Sequence, residues 1–204
     1  MKFSVSAALL LCVLVSGCST PWVTNTPRSA VEQQLLSTAV ERAMQQVDLR
    51  HYAGKKIYPD YSLLATQTDT QYVKGVFEMH LAGYGITVVP SSEEADYIIQ
   101  VLSGVLATDH NKWLIGTPEL PIPLPDSSIS LCIPEISLLS EQSRTAFARF
   151  SFNILTSARE PVESIRGINA SAEYRNWIVI FYPYVTHNLP LEEAHRIETM
   201  NDKR

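Results

Sequence analysis

The residues of this chain best placed to do chemistry lie at its amino end. Cys18 directly follows Val15-Ser16-Gly17, one aliphatic residue and two small ones. Before them, residues 5–15 form an almost wholly apolar run of 11 residues, itself preceded by one lysine. A transmembrane helix needs roughly 20 apolar residues, so this run instead has the length of the apolar part of a signal peptide. The sequence therefore predicts a signal peptide with a modifiable thiol at its end.

The stretch from Val15 to Cys18 resembles the lipobox of bacterial lipoproteins. The resemblance implies that the Cys18 thiol receives a diacylglyceryl group, that residues 1–17 are removed, and that the new amino end is acylated. The alternative is an ordinary secretory cleavage site. Two or more acyl chains hold a protein stably on a bilayer. Lipoproteins retained at the inner membrane carry Asp after the cysteine, so Ser19 implies an outer-membrane, periplasm-facing protein in a Gram-negative source.

The net charge argues against one class of partner, and the cysteine count limits the possible disulfides. The chain has 16 Lys and Arg against 21 Asp and Glu, a net charge of −5. Nucleic-acid-binding domains usually carry a basic face, so we expect no nucleic acid partner. With Cys12 removed and Cys18 acylated, Cys132 would be the only remaining thiol, which excludes an intramolecular disulfide. A buried thiol is the expected state of Cys132, and a mixed disulfide is the alternative.

The patterning beyond the cysteine predicts a short tether and one domain. Residues 18–28 comprise the acylated cysteine and a polar tether with two prolines, and residues 29–204 form a single periplasmic domain. Ser29 and Glu32 have the spacing of a helix capping box, before apolar residues at helical intervals. A second helix should start after Asp69 and stop at Gly83 and Gly85. Strands are expected over 55–64, 86–89, 96–108, 146–156, 165–172 and 177–185. This order predicts an α+β fold of two layers, with both main helices on one face of a mixed sheet.

Residues 109–134 break this pattern. Five prolines fall in the segment, at 118, 121, 123, 125 and 134, and proline is excluded from helix interiors and central strands. We therefore predict a Pro-rich loop over 109–134. Its apolar residues Trp113, Ile115, Ile122 and Leu124 are candidate interaction residues, since exposed apolar surface often marks a contact. The alternative is that they only cover the sheet.

Motifs for catalysis are missing from the sequence. It contains no G-x-S-x-G elbow, no H-E-x-x-H pair, no P-loop and no G-x-G-x-x-G. Asp109-His110 could bind a metal ion or polarise water, although a solvated pair in a loop is the preferred interpretation. We expect no enzyme, no cofactor, no metal site and no catalytic residue.

The body of the chain resembles an uncharacterised family of small bacterial envelope lipoproteins. The matching stretches are 26–29 with the helix 31–43, and Ala82-Gly83-Tyr84-Gly85-Ile86 leading into Glu94-Ala95-Asp96-Tyr97. The second stretch is also similar to the small α/β domain of periplasmic assembly lipoproteins and to the amino-terminal domain of the Tol translocation protein.

The resemblance implies a scaffold or assembly component of a secretion, export or appendage machinery. It would bind the membrane through its lipid anchor, and other envelope proteins or further copies of itself through protein contacts. The alternative function is a binding module or hydrolase acting on a small molecule or envelope polymer in a pocket under residues 109–134.

The lipobox prediction is tested at Cys18. Replacing Cys18 with Ser removes the thiol that would be acylated, so the variant should leave the membrane fraction or accumulate as the uncut precursor. Fractionation with immunoblotting distinguishes the two forms by size. A processed variant that still sediments with membranes would contradict acylation at Cys18.

Overall fold

The structure is a computed structural model that describes residues 28–64, 69–123 and 130–190. The predicted signal peptide, Cys18 and most of the tether lie outside these residues, as does the carboxyl-terminal segment 191–204. The described part contains two main helices, α1 (Ala30–Met44) and α2 (Thr70–Gly83). Its strands are β1 (Lys56–Asp60), β2 (Thr87–Val88), β3 (Tyr97–Thr117), β4 (Leu120–Pro123), β5 (Ser130–Ile133), β6 (Ile136–Thr156), β7 (Pro161–Val179) and β8 (Tyr182–His187).

The start of α1 has the capping box that the sequence predicts. The Ser29 hydroxyl accepts a hydrogen bond from the Glu32 amide, and a Glu32 carboxylate oxygen accepts one from the Ser29 amide. This exchange satisfies two amide groups that a helix start leaves without intrahelical partners. Downstream, Leu35, Ala39 and Ala43 recur at helical spacing and are fully buried. The predicted helix and its inward face are confirmed.

The end of α2 depends on a glycine. Gly85 has φ of +70°, a left-handed conformation that glycine adopts without a Cβ clash. Its amide donates to the Ala82 carbonyl, and the next amide, Ile86, donates to the Leu81 carbonyl. These two bonds and the burial of both Leu81 and Ile86 make a Schellman stop. The glycine-terminated helix is therefore confirmed.

Six strands form one mixed sheet in the order β2-β1-β3-β6-β7-β8, and β4 and β5 form a separate two-stranded sheet. β1 runs parallel to β2 and β3, and the other neighbours in the six-stranded sheet are antiparallel. Pro59 lies within β1 opposite Ile99 of β3, beyond the two residues that pair with β2. That edge of β1 is open at Pro59, which is where a strand tolerates a residue without an amide proton.

The predicted loop over 109–134 is wrong for most of its length. Residues 109–117 continue β3, which pairs with β6 without interruption of the ladder except for two register shifts. The prolines of the segment begin only at Pro118, so nothing in 109–117 prevents strand pairing. Pro121 and Pro123 then lie in the separate β4–β5 hairpin. The segment is the end of a long strand followed by a small hairpin.

The end of β3 requires one specific glycine. A Cβ on Gly116 would lie 2.1 Å from the Ile136 carbonyl oxygen, far inside van der Waals contact. The strands approach this closely at the register shift between Ile115 and Gly116, where one extra residue of β6 is accommodated. Gly116 therefore allows β3 and β6 to remain paired as far as Thr117.

The predicted final strand over 177–185 is also wrong. β7 stops at Val179 and the chain reverses through Ile180 and Phe181 into β8, with Val179 opposite Tyr182. Both turn residues have positive φ, 49° and 66°. The continuous apolar run from Trp177 therefore contains a two-residue hairpin turn, although it has none of the Asn or Gly residues that usually indicate one.

The core lies between the helices and part of the sheet. α1 packs against β7 and β6 and, to a smaller extent, against β3 and α2. Phe77 of α2 stacks on Phe152 of β6, with ring centroids 5.3 Å apart. The α+β class and the mixed sheet are confirmed. The helices pack near the edge of a curled sheet, and the predicted two-layer arrangement is not established by this packing.

A charge on the buried face of α1 tests this core. Leu35 is fully buried, and truncating such a residue costs about 2–5 kcal/mol even without adding charge. Leu35→Asp should therefore lower the free energy of unfolding by more than about 3 kcal/mol, because the carboxylate gains no partner. The matched control is Gln33→Asp on the exposed side of the same helix. Equal unfolding midpoints in urea for the two variants would contradict the assigned orientation of α1.

Candidate functional site

The most unusual surface of the molecule is the part of the sheet that extends beyond the core. Buried apolar side chains end at Leu106 in β3, at Ala146 in β6 and at Ala172 in β7. Beyond them the strands continue through 108–117, 136–145, 173–179 and 182–187, which we call the distal sheet. It spans about ten residues of β3 and β6, or roughly 30 Å at about 3.3 Å per residue.

An aromatic row crosses the distal sheet on one face. Trp113, Glu141, Trp177 and Tyr184 are opposite one another on β3, β6, β7 and β8. The Trp113 and Trp177 rings meet edge to face at 6.3 Å between centroids, and the Trp177 and Tyr184 rings are stacked at 6.0 Å. Trp177 Nε1 also donates to the Thr186 hydroxyl at 3.2 Å. Such pairs stabilise a sheet beyond their buried area.

The carboxylate in this row is held by hydrogen-bond and ion-pair partners. Trp113 Nε1 donates to Glu141 Oε2 at 2.5 Å, and the Arg175 guanidinium lies 3.6 Å from the other carboxylate oxygen. Arg175 also pairs with Glu173 at 2.5 Å, and this hydrogen bond is the main reason that the pKa of Arg175 is raised. The row therefore presents aromatic rings to solvent rather than a single charge.

A second ion pair lies where the β4–β5 hairpin joins the distal sheet. Lys112 Nζ is 2.5 Å from Glu135 Oε2, and the Ser137 hydroxyl donates to the other oxygen of this carboxylate at 2.9 Å. The hydrogen bond from Lys112, followed by that from Ser137, lowers the pKa of Glu135. These contacts hold the base of the hairpin against the start of β6.

The end of the β7–β8 hairpin is strongly apolar. Ile180 is 73% exposed, Phe181 67% and Tyr182 71%. The Ile180 amide donates to the Leu138 carbonyl at 2.7 Å. We call Val179–Tyr182 the distal tip. It presents large apolar side chains to solvent at the point where the sheet ends.

The backbone of the distal tip is unfavourable for these side chains. Two-residue hairpin turns with positive φ at both positions favour Asn-Gly, because bulky and β-branched residues clash in the left-handed region. Ile180 and Phe181 occupy these two positions here. Such outliers cost about 1–3 kcal/mol each and concentrate at functional sites. Ile180 and Phe181 are therefore exposed apolar residues at strained backbone positions.

The structure brings two of the four predicted interaction residues together. Trp113 is partly buried and Ile115 is 56% exposed, and both lie on the same face of β3. Ile122 lies in β4, away from the six-stranded sheet. Leu124 lies outside the described residues. Cys132 lies in β5 opposite Pro121.

Sequence reasoning missed Trp177, Tyr184 and the distal tip. Residues 176–186 carry no charge and four aromatic side chains, which is the signal that could have identified them. The apolar run instead predicts one final strand over 177–185. Only the turn at Ile180 and Phe181 converts the run into an exposed hairpin.

The Asp109-His110 pair lies in a strand. Asp109 and His110 are neighbours in β3, so their side chains point to opposite faces of the sheet. No cluster of three or more metal-ligating side chains occurs within the part of the chain that the structure describes. In the same part, neither helix has the length and apolar character needed to cross a bilayer.

Two open grooves lie away from residues 109–134. One, of about 390 Å³, lies between α1 and the start of α2, and the other, of about 340 Å³, lies on β3, β6 and β7. A polar row borders the second groove: Gln100 donates to Asp60 at 3.3 Å, Asn153 to Gln100 at 3.2 Å, and Ser164 to Asn153 at 2.9 Å. These groups satisfy one another and do not converge on a common point. The pocket expected under 109–134 does not correspond to either groove.

Comparison with known proteins gives little beyond the geometry. The sequence matches no protein-family model and no curated protein. Among solved structures it is similar to an NMR structure of uncharacterized lipoprotein B from Nitrosomonas europaea, at 16% identity. The match covers 73% of this chain and 72% of the other, with a TM-score of 0.26. A superposition this loose carries no argument about fold or function.

The strain at the distal tip yields a prediction on stability. The double substitution Ile180→Asn with Phe181→Gly supplies the residues that this turn prefers, so it should raise the free energy of unfolding by about 1–3 kcal/mol for each relieved position. Urea unfolding measures the change, and Met79→Asn, at an apolar position 75% exposed on α2, is the control expected to change little. A destabilised double variant would show that the apolar pair supports the fold.

Proposed function

We propose that this chain is an outer-membrane lipoprotein, acylated at Cys18, whose periplasmic domain acts as a scaffold or assembly component of an envelope structure. It makes protein contacts through the aromatic row and Ile115 on the distal sheet. The observation that carries the proposal is the distal sheet itself, a ribbon that extends past the core and exposes aromatic and aliphatic side chains. The domain is not an enzyme in this proposal.

The anchor is supported by the spacing of residues 15–18 and by the length of the apolar run before them. The tether from Ser19 to Arg28 has ten residues and spans at most about 33–36 Å. Arg28 forms an ion pair with Asp69, next to the start of α2. A lipid on Cys18 would therefore keep the helical part of the domain within a few nanometres of the bilayer.

The contact surface is supported by its chemistry. Soluble monomers seldom expose large contiguous apolar patches, and such patches often mark interaction sites. Trp and Tyr are enriched among the residues that dominate binding energy, because they bury a large ring and still hydrogen-bond. Trp113 is already fixed by its bond to Glu141 and its contact with Trp177. Little side-chain entropy would be lost when a partner covers it.

Ile115 offers the sharpest test, because it is exposed and makes no hydrogen bond through its side chain. Ile115→Ser should weaken cross-linking of the lipoprotein to an envelope partner several-fold, while the unfolding midpoint stays nearly unchanged, as is usual for exposed positions. The measurement is photo-cross-linking in cells from a probe at Asn111, on the same face of β3. Met79→Ser is the matched control, since Met79 is at least as exposed but lies on α2.

Trp113→Ala gives the complementary result. This change removes the Glu141 hydrogen bond and the Trp177 contact, so it should lower stability by roughly 2 kcal/mol as well as cross-linking. Cross-linking that falls only in proportion to the unfolded fraction, together with an unaffected Ile115→Ser, would overturn the proposed contact surface.

A further inference from the structure

We propose that the distal tip is a second membrane contact: the turn at Ile180 and Phe181 inserts into a lipid surface at the boundary between headgroups and acyl chains. This goes beyond the proposed function, in which the membrane is bound only through the lipid on Cys18. The inference comes from the order of side chains along the β7–β8 hairpin and from the distribution of charge around it.

The side chains change in character with distance from the turn. The two turn residues are wholly apolar and about 70% exposed, Ile180 at 73% and Phe181 at 67%. Three residues back along each strand are Trp177 and Tyr184, which is roughly 10 Å of extended chain. Trp and Tyr at this distance from an apolar end are the arrangement found at membrane interfaces, where the rings sit among the headgroups.

Charged residues are absent from the hairpin near its turn and occur only further back along the strand. Residues 176–186 contain no charged side chain. The first charges along β7 are Arg175 and Glu173, which pair with each other at 2.5 Å beyond the aromatic row. The side chains of the turn carry no charge to desolvate, whereas a charged side chain in hydrocarbon would cost several kcal/mol. Along β7 the charged groups begin only beyond the aromatic row, and Glu141 of β6, which lies within that row, is held by Trp113 and Arg175.

The hairpin is apolar on both faces at its end. Val179 and Tyr182 lie on one face, and Ile178 and Pro183, also opposite each other, lie on the other. An end that is apolar on both faces fits a medium that surrounds it, and lipid is such a medium.

The backbone permits shallow insertion only. Unpaired amide and carbonyl groups are excluded from the hydrocarbon core. The Ile180 amide is already bonded to the Leu138 carbonyl, and interfacial elements enter about 5–10 Å into the headgroup and acyl boundary. At that depth the remaining groups of the turn can still reach water. The ends of β3 and β6 differ from the distal tip, because there the chain continues into the β4–β5 hairpin instead of a two-residue turn.

The test uses the full lipoprotein, purified from membranes and reconstituted into phosphatidylcholine vesicles. Cys132 is replaced by Ser, and a single cysteine at position 180 carries a polarity-sensitive fluorophore; the matched control carries it at Met79, which is 75% exposed on α2. We expect blue-shifted emission at 180, and at least twofold quenching by lipids brominated near the headgroup, with neither at position 79. Because the tip has no cation, 0.5 M salt should leave the signal unchanged.

In a second variant the fluorophore is attached to a cysteine that replaces Val185 on β8. Ile180 and Phe181 are then unchanged, so this label tests the native tip. In a chain with Ile180→Asn and Phe181→Gly, quenching at 185 should disappear although the domain remains folded, as its unfolding transition will show. Equal signals at positions 180 and 79, or unchanged quenching at 185 in the double variant, would overturn the lipid contact. Cross-linking from position 180 to an envelope protein, with no quenching in vesicles, would overturn it in favour of a protein contact. None of these outcomes depends on the cross-links from β3.

Discussion

The pairing of β3 with β6 is the constraint on which the rest of the molecule depends. The ladder runs from Tyr97 opposite Thr156 to Thr117 opposite Ile136. Its first half supplies Ile99, Val101, Phe150 and Phe152 to the core beneath the helices. Its second half has no such core and is held by its backbone hydrogen bonds and by side-chain pairs across the strands. β7 and β8 extend the same sheet. The distal sheet and the distal tip therefore exist because strand pairing continues beyond the buried core.

The sequence predicts elements whose signals are local. The capping box at Ser29 and the glycine stop at Gly85 are each set by a few neighbouring residues, and both are present in the structure. The extent of β3 was not predictable in this way. Residues 109–117 are polar and apolar without a clear period. Their strand state is decided by β6, whose paired residues lie 19 to 36 positions further along the chain, from Thr117 opposite Ile136 to Asp109 opposite Thr145. Prolines after position 117 made the whole segment resemble a loop, although they affect only the separate hairpin.

The candidate site was found in part for the same reason. The apolar character of Trp113 and Ile115 marks them as candidate contact residues, although the loop predicted around them is a strand. They nevertheless lie on one exposed face, because residues two apart in a strand share a face. Trp177 and Tyr184 could be placed beside Trp113 only through the register of β6, β7 and β8. The turn between them needs positive φ at Ile180 and Phe181, which sequence preference argues against.

The open edge of the sheet is formed by β7 near the core and by β8 in the distal sheet, and both parts are protected against pairing with another strand. Near the core, the edge of β7 is covered: Arg42 donates to the Ser171 carbonyl at 2.9 Å and Gln46 to the Asn169 carbonyl at 2.9 Å. Such cover prevents strands of other chains from pairing there. In the distal sheet the edge strand is β8, where Pro183 has no amide proton to offer a neighbouring strand. Backbone pairing is thus discouraged along this edge, while aromatic and aliphatic side chains remain exposed at its end. An exposed apolar end combined with a blunted edge favours contacts made by side chains, with lipid or protein, over extension of the sheet.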